Sequence, residues 1–422
     1  MLVTFDNWIN GREITALGTN AGAQALPFQG WRNFKEAFAP ELIARAVSES
    51  PIRVKRCIDP FSGSGTTALA CQFLGIHPTF IEVNPYLADL AEAKVSRYDV
   101  PSLTRDFSKL VRKANGISRA ARVVFSGLPP TFIEPGHNGR WIFDRGVADR
   151  LAAYRIALKD IRDPINRRLF RVLLGGVVVE VSNVIVSGKG RRYRRNWEDQ
   201  RKTARHLDEA FCAAVEIAVG DIVRHGTRRE MDYSLFRGDC RSILKKRRAQ
   251  YDLAVFSPPY PNSFDYTDVY NVELWALGYL KTPNSNTELR TSTLSSHVQI
   301  RREFPPAPKG SPALATALER LEDVRDELWD KSIPEMVGGY FADMATVIDS
   351  LWSRLTKGAQ MWMVVGDSRY AGVSIPVGMI LAQLAEQSGK TVVNHEPFRS
   401  MRSSPQQGGQ QSLSETLLVL SR

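Results

Sequence analysis

Cysteine is scarce in this chain of 422 residues, and its scarcity excludes two classes of protein. Cys57, Cys71, Cys212 and Cys240 are too few to hold a chain of this size together by disulfides. Their separations match no zinc-binding pattern, and the six histidines are scattered singly along the chain. We therefore expect free thiols and no metal site.

Long apolar runs are also missing. No apolar segment reaches the ~20 residues that a membrane-spanning helix needs. The first residues, MLVTFDNWINGRE, lack the basic and then apolar segments of a secretory signal. We therefore expect a soluble, intracellular protein with no membrane partner.

Acidic residues are outnumbered, 45 against 56 Lys and Arg, which gives a net charge of +11. Such a surplus attracts polyanions through counterion release, so nucleic acid is the natural partner. The densest basic cluster comprises Lys189, Arg191, Arg192, Arg194 and Arg195, with Tyr193 and Trp197 between them. Phosphate contact beside a stacking aromatic is one interpretation of this cluster, and a solvated charged face is the other.

The order of apolar segments predicts an α/β fold with a doubly wound, mostly parallel, Rossmann-like sheet. Its first half would be a strand at 54–58, a glycine-rich turn, a helix at 68–74, a strand at 78–83 and a helix at 87–97. Its second half would contain strands at 233–237, 251–256, 360–365 and 416–420 and helices at 339–355 and 377–388.

Between these halves the α/β alternation stops. Residues 101–231 show helical patterns at 147–161, 169–181 and 206–220, so we predict a mostly helical insertion there. The main domain would then comprise residues 1–100 and 232–422. Residues 276–334 are polar, and Pro305, Pro306 and Pro308 indicate a loop there.

The glycine-rich turn has the sequence DPFSGSGTT (59–67). Glycines let the backbone approach a ligand closely, and the following helix presents free N–H groups. The turn lacks the third glycine of a dinucleotide fingerprint and the lysine of a Walker loop. Asp59 suits a ligand with a cationic amino-acid end better than a pyrophosphate. An ordinary tight turn is the alternative.

Glu82 lies at the predicted end of the second strand. In nucleoside-binding α/β folds, a carboxylate at this position takes the ribose hydroxyls. A nucleoside with a cationic tail is therefore the ligand that Asp59 and Glu82 together predict.

The tetrapeptide Ser257, Pro258, Pro259 and Tyr260 follows the apolar run YDLAVF. Two prolines stiffen a loop and leave carbonyl groups unpaired. Such a loop can accept hydrogen bonds from an amino group, and a tyrosine offers a flat face to a base. An ordinary strand-terminating turn is again the alternative.

With both motifs present, the sequence resembles the amino-methyltransferases of DNA, which make N4-methylcytosine or N6-methyladenine. DPFSGSGTT resembles their motif I, FIEVNP (80–85) their motif II and SPPY their catalytic motif IV. NFKEAFAPELI (33–43) is similar to motif X, and FRGDCRSI (236–243) to the motif before motif IV. VVGDSRYAGVSIP (364–376) and SETLLVLSR (414–422) resemble late parts of the family, so the resemblance covers about 28–100 and 232–422.

The resemblance implies a class I methyltransferase fold that uses S-adenosylmethionine. The cofactor-binding residues that it implies are Phe34, Lys35, Asp59, Pro60, Phe61, Gly63, Gly65, Thr66, Thr67, Glu82, Asp239 and Cys240. Ser257, Pro258, Pro259 and Tyr260 would be catalytic, acting on a base extruded from the duplex. Asp239 would meet the adenine of the cofactor.

The base remains open between two choices. Serine at the first position of the tetrapeptide favours cytosine N4, whereas a cofactor loop that precedes SPPY keeps adenine N6 as the alternative. Cytosine C5 methylation is excluded because no cysteine follows a proline. An RNA amino-methyltransferase and a non-catalytic DNA-binding subunit are further alternatives.

Double-stranded DNA is the partner that the family implies, in the cytoplasm of a bacterium or archaeon or encoded by a phage. A restriction or defence nuclease is a candidate second partner, and monomer and dimer both stay open. Residues 101–231 are the first candidate for target recognition, with 281–335 as the competitor. Tyr266 would line the base pocket or simply pack in the core.

Overall fold

The computed structural model describes residues 2–12, 14, 17–19, 22–32, 37–187, 190–402 and 412–422. Its helices are α1 (Phe5–Ile9), α2 (Glu41–Ser48), α3 (Thr66–Leu74), α4 (Pro85–Val95), α5 (Val100–Asn115), α6 (Ala121–Val124), α7 (Arg145–Leu158), α8 (Pro164–Val178), α9 (Ala204–His225), α10 (Cys240–Lys246), α11 (Tyr266–Val269), α12 (Asn271–Ala276), α13 (Pro283–Thr291), α14 (Pro312–Asp323), α15 (Ile333–Trp352) and α16 (Val377–Gln387). Its strands are β1 (Arg56–Asp59), β2 (His77–Glu82), β3 (Val184–Ser187), β4 (Gly190–Tyr193), β5 (Ser234–Arg237), β6 (Tyr251–Phe256), β7 (Leu355–Gly366), β8 (Ser368–Tyr370), β9 (Val373–Ile375), β10 (Thr391–Arg402) and β11 (Ser412–Ser421).

Seven strands form one sheet in the order β10-β11-β7-β6-β1-β2-β5. The strands from β7 to β5 are parallel, and β11 runs antiparallel to both β7 and β10. This mostly parallel sheet, with one reversed strand next to the edge, is the topology of class I methyltransferases. It confirms the predicted fold class.

Both faces of the sheet are covered, as the central strand β6 shows. Leu253 and Val255 point into one hydrophobic core, and Ala254 and Phe256 point into the other. A strand buried on both faces needs apolar residues at every position, because successive side chains point to opposite sides. Residues 253–256 of the run YDLAVF satisfy this requirement, whereas Asp252, near the start of the strand, is only partly buried; the predicted strand has the observed bounds.

The direction of winding reverses between β1 and β6. After β1 the chain continues to β2 and β5 on one side, and it returns through β6 and β7 on the other. A crevice opens at the carboxyl edge of a parallel sheet where the winding reverses. Asp59 ends β1 and Ser257 follows β6, so the two sequence motifs leave the sheet from neighbouring strands.

The predicted loop at 305–308 is confirmed, but the polar segment 276–334 also contains the helices α13 and α14. Each helix begins with a proline at its first position, Pro283 or Pro312, and is capped by the preceding Thr282 or Ser311. Proline favours the first turn of a helix, where its missing N–H costs nothing. Pro283 and Pro312 therefore mark the starts of helices.

Residues 101–231 form α5 to α9 and the β3–β4 hairpin, apart from residues 188 and 189, which the structure does not describe. Helix α8 packs against α4 and α12, so this segment shares a core with the helices of the sheet. Gly175 of α8 illustrates the closeness: an added Cβ would lie 2.5 Å from the Tyr86 ring. Among the described residues, no helix is long and apolar enough to cross a membrane.

Candidate active site

A cavity of about 470 Å³ lies at the carboxyl edge of the sheet, where the winding reverses. Both sequence motifs form its wall. Of the predicted residues, the wall contains Asp59, Pro60, Phe61, Gly63, Thr66, Thr67, Glu82, Asp239, Cys240, Ser257, Pro258, Pro259, Tyr260 and Tyr266.

The glycine-rich turn bends sharply between β1 and α3. Gly63 and Gly65 have φ values of 50° and 84°, which disfavour any residue with a side chain. Gly65 is not in the cavity wall, and its predicted cofactor contact stays a prediction. A Cβ at Gly65 would lie 2.7 Å from the Cβ and 2.9 Å from the Cα of Ala91, so this glycine permits the close crossing of α3 and α4.

Glu82 connects the glycine turn to the end of β2. Its carboxylate accepts hydrogen bonds from the backbone N–H of Gly63, at 2.7 Å, and of Asn84, at 2.8 Å. Burial raises the pKa of Glu82 to about 7. The residue that was predicted to take the ribose hydroxyls therefore also fixes the shape of the turn.

Asp59 is the second buried carboxylate of the cavity. Its Oδ1 accepts the backbone N–H of Phe61 at 2.9 Å. Burial raises the pKa of Asp59 to about 7, because a charged carboxylate loses its hydration there. A cationic ligand group would restore the ionised form of both carboxylates.

The same wall offers polar atoms that have no partner among the described residues. The hydroxyl groups of Ser62 and Thr66 are buried and make no hydrogen bond. Buried hydroxyls in native proteins are normally paired, so these two fit a polar ligand in the cavity. Phe61, whose ring packs 5.7 Å from that of Phe256, adds an apolar surface beside them.

Asp239 and Cys240 form the wall after β5. Asp239 caps α10 by accepting the Arg241 N–H at 2.9 Å, and it also pairs with the Arg241 guanidinium at 3.0 Å. Burial raises the pKa of the Cys240 thiol, which keeps it neutral. The adenine contact of Asp239 stays a prediction.

The SPPY loop makes a chain of polar contacts. The Oγ of Ser257 lies 3.3 Å from the Tyr260 hydroxyl, which donates to the Glu415 carboxylate at 3.0 Å. Glu415 was missed in the sequence, where SETLLVLSR was assigned only to the family's late part. It reaches the site because β11 is antiparallel, so the beginning of β11 meets the carboxyl ends of β6 and β7.

The segment after SPPY contributes Tyr266, which the sequence indicated, and also Phe264 and His297. Phe264 packs edge-to-face against Tyr266, with ring centroids 4.5 Å apart, and both line the cavity. His297 also lines it and is buried, and its Nε2 lies 2.8 Å from the Arg302 guanidinium. Burial lowers the pKa of His297 to about 4, so the ring is neutral and accepts this hydrogen bond.

Some predicted residues lie elsewhere or outside the described part of the chain. Phe34, Lys35 and Lys189 fall outside the described residues. The guanidinium of Arg194 donates to the carbonyls of Ser182, Val179 and Glu180, and its predicted DNA contact stays a prediction. Arg194 therefore holds the base of the β3–β4 hairpin.

Arg191, Arg192 and Arg195 remain exposed at this hairpin. Strand β4 contacts α11, which contributes Tyr266 and Thr267 to the cavity wall. The exposed arginines therefore lie on an element that touches the wall of the cavity. Within the described residues, no group of histidine, cysteine and carboxylate side chains could hold a metal ion.

This sheet, with the cavity between its two acidic strand ends and the SPPY loop, defines a class I, S-adenosylmethionine-dependent methyltransferase. The chain is 27% identical over 413 residues to the type II methyltransferase M.AvaI of Nostoc sp., a match covering 90% of this chain and 82% of that protein. It is 24% identical over 415 residues to the type II methyltransferase M.BsoBI of Geobacillus stearothermophilus, covering 85% and 78%. Over most of its length, the chain is similar to these two type II methyltransferases.

Two further comparisons are weaker. Type II methyltransferase M.MjaII of Methanocaldococcus jannaschii is 30% identical over 90 residues, which cover 21% of this chain. The rRNA methyltransferase aviRa of Streptomyces viridochromogenes, a solved structure, covers 91% of this chain and 85% of its own at 11% identity, with a TM-score of 0.28. That score adds nothing to the assignment of the fold from its topology. No family model matches the chain.

The residues present fit S-adenosylmethionine. Two buried carboxylates, Asp59 and Glu82, suit its cationic amino group and its ribose hydroxyls. The unpartnered hydroxyls of Ser62 and Thr66 offer further hydrogen bonds, and Phe61 offers an apolar contact. The turn carries no lysine that would favour a phosphate.

Proposed function

We propose that this protein methylates the exocyclic N4 of cytosine in double-stranded DNA at a specific site. The observation that carries the proposal is the shared cavity: the glycine turn after β1 and the Ser-Pro-Pro-Tyr loop after β6 face one space of about 470 Å³. Serine at the first position of that loop favours cytosine among the family's two products. No metal site is required by this chemistry.

The target amino group is a poor nucleophile because its lone pair is delocalised into the ring. Hydrogen bonds from that group to the Ser257 hydroxyl and the Pro258 carbonyl would favour a more sp³-like nitrogen. The ring of Tyr260, half-buried in the wall, would hold the extruded base by stacking.

S-adenosylmethionine supplies a methyl group that is already activated on a sulfonium. Asp59 and Glu82 would hold this cofactor by its polar ends, on the side of the cavity formed by β1 and β2. The protein then contributes orientation and electrostatic stabilisation, which can supply most of the acceleration.

The DNA backbone would lie on a basic groove beside the cavity. This groove, of about 600 Å³, is lined by Arg140, Arg191, Asn138 and Tyr193 among others, and none of its lining residues is acidic. The Arg140 guanidinium lies 5.8 Å from the centre of the Tyr193 ring. Two protruding elements thus meet: the exposed turn at 137–140 and the β3–β4 hairpin.

The DNA contact is tested with R140A/R191A. Removing two phosphate-binding charges should lower the slope of log affinity against log salt by about 2, while S-adenosylmethionine affinity stays unchanged. The control is R325A/K331A, which removes two cations already paired with carboxylates. An unchanged salt slope in R140A/R191A would place the DNA elsewhere.

The reaction is tested by incubating the purified protein with mixed-sequence DNA and S-adenosylmethionine, followed by nucleoside mass spectrometry. We expect N4-methylcytosine. N6-methyladenine instead would correct the base and keep the site, as the order of the motifs allows. Methylated RNA without methylated DNA would refute the substrate.

The catalytic roles are tested by substitution in the SPPY loop. S257A should slow methyl transfer, and the P258A/P259A double variant should nearly abolish it, because the loop loses its rigid carbonyl. Cofactor affinity should be kept in both variants, since β1 and β2 supply the acidic residues. Wild-type rates in these variants would remove Ser257 and Pro258 from the mechanism.

A further inference from the structure

The direction in which the Ser257 hydroxyl donates its hydrogen decides whether its oxygen can accept a hydrogen bond from a target amino group. A serine hydroxyl has one hydrogen and two lone pairs, so it can face a ligand as donor or acceptor. An amino group that is to be methylated needs an acceptor. A donor at that position would form a hydrogen bond with the nitrogen lone pair that must attack the methyl group.

The structure contains a chain of contacts that fixes the direction in which the Ser257 hydroxyl donates. The Tyr260 hydroxyl lies 3.0 Å from the Glu415 Oε1 and 3.3 Å from the Ser257 Oγ. The Tyr260 hydroxyl donates to the Glu415 Oε1, and this contact uses its single hydrogen. Tyr260 can then only accept from Ser257, and both lone pairs of Ser257 are left for the cavity.

We propose that Glu415 is a positioning residue that acts through Tyr260 to set the Ser257 oxygen as an acceptor for the target amino group. This inference rests on the proposed function and deepens it. It assigns a role to a residue of the last strand, about 150 positions from the loop that it orients.

The surroundings of Glu415 support a fixed orientation. Only 2% of its surface is exposed, and its pairing with Gly366 of β7 places it in the interior of the sheet. A Cβ at Gly18 would lie 2.2 Å from the Glu415 Oε2, so the chain also closes over the carboxylate from the other side. Both Glu415 and Tyr260 line the cavity.

The test is a double-mutant cycle on the full-length protein with E415L, Y260F and E415L/Y260F. Single-turnover methyl transfer to DNA is measured at saturating S-adenosylmethionine, together with cofactor affinity and the urea unfolding midpoint. E415L removes the acceptor, and Y260F keeps the aromatic ring and removes only the hydroxyl. The matched control is E396L, on the neighbouring strand β10, where the carboxylate pairs with Arg45 on the surface.

We expect E415L to lower the single-turnover rate at least tenfold, with cofactor affinity within about twofold of wild type. The double variant should be no slower than Y260F, because the chain of contacts is already broken at the tyrosine. Two results would overturn the inference: a multiplicative loss in the double variant, or a rate in E415L within twofold of E396L. Loss of cofactor binding in E415L would also overturn it and assign Glu415 a purely structural role.

Failure of the proposed function has a different signature. If the wild-type protein transfers no methyl group to DNA, the function is wrong whatever the variants do. If the product is N6-methyladenine, the cycle is run on that product, since an adenine amino group needs the same acceptor.

Discussion

Cofactor affinity should rise steeply with pH across neutrality, because the two carboxyl groups expected to hold the cofactor, those of Asp59 and Glu82, are buried. The pKa values of Asp59 and Glu82 are raised to about 7 by loss of hydration. The free protein therefore holds both carboxyls largely protonated at pH 6. A ligand with a cationic amino group and hydroxyl donors selects the ionised forms.

The magnitude follows from these pKa values. A group with a pKa of about 7 is roughly one-eleventh ionised at pH 6 and half ionised at pH 7. If binding requires the ionised form, affinity should rise about fivefold per carboxylate, and about 25-fold if both are required. The comparison stops at pH 7 because the cofactor's own amino group titrates near 8.

The assay is isothermal titration calorimetry with S-adenosylmethionine at pH 6.0, 6.5 and 7.0 at constant ionic strength. D59N and E82Q should each bind S-adenosylmethionine more weakly than the wild type. In each variant, the rise in affinity between pH 6 and pH 7 should be about fivefold smaller. D326N, which changes an exposed carboxylate, should behave as wild type. An affinity that is flat between pH 6 and pH 7 in the wild type would refute the reasoning.

In the free protein, stability should change with pH in the opposite direction to cofactor affinity. The folded state binds protons at Asp59 and Glu82 that the unfolded chain has already released above about pH 4. Their contribution to the free energy of unfolding should therefore fall as the pH rises from about 4 to about 7. Urea unfolding of the free protein, compared with D59N, measures this trend.

Two further predictions concern the frame of the site. G65A should lower the free energy of unfolding by about 2–4 kcal/mol, because its Cβ would meet the α4 backbone and its φ is positive. The control G372A has a similar φ of 82° but open space around it, and it should cost about 1 kcal/mol. Equal costs in urea unfolding would contradict the close crossing of α3 and α4. E273A removes a fully buried carboxylate from the Arg32 guanidinium and should cost about 3 kcal/mol, against about 0.5 kcal/mol for the exposed Glu49. Similar urea midpoints for E273A and E49A would show that the buried pair adds no stability.

Sequence patterns predicted the strands best where both faces of the sheet are buried. The predicted strand at 251–256 matches β6 because four successive positions there, 253–256, are buried and apolar. Strand β10 was missed for the opposite reason. It is an edge strand with alternating exposure, it contains Pro397, and its register shifts twice, so it shows no apolar run.

The residues of the candidate site also fall into two groups, those that local sequence patterns predict and those that they do not. Asp59, Glu82 and the SPPY loop follow apolar strands directly, so their positions at one edge of a parallel sheet could be derived from chain order. Glu415 and His297 could not be found in this way. Neither carries a local signal, because β11 and the segment around His297 reach the cavity only through long-range packing.

By itself, the sequence determined the winding of the sheet, the motifs at its carboxyl edge and the kind of cofactor. These are properties of short segments, set by apolar periodicity and by the φ values that glycine and proline permit. Only the tertiary structure decided that Gly65 serves a helix crossing, that Arg194 holds a hairpin, and that an antiparallel last strand brings a carboxylate to Tyr260. Such roles depend on which distant backbones meet, and no local pattern records that.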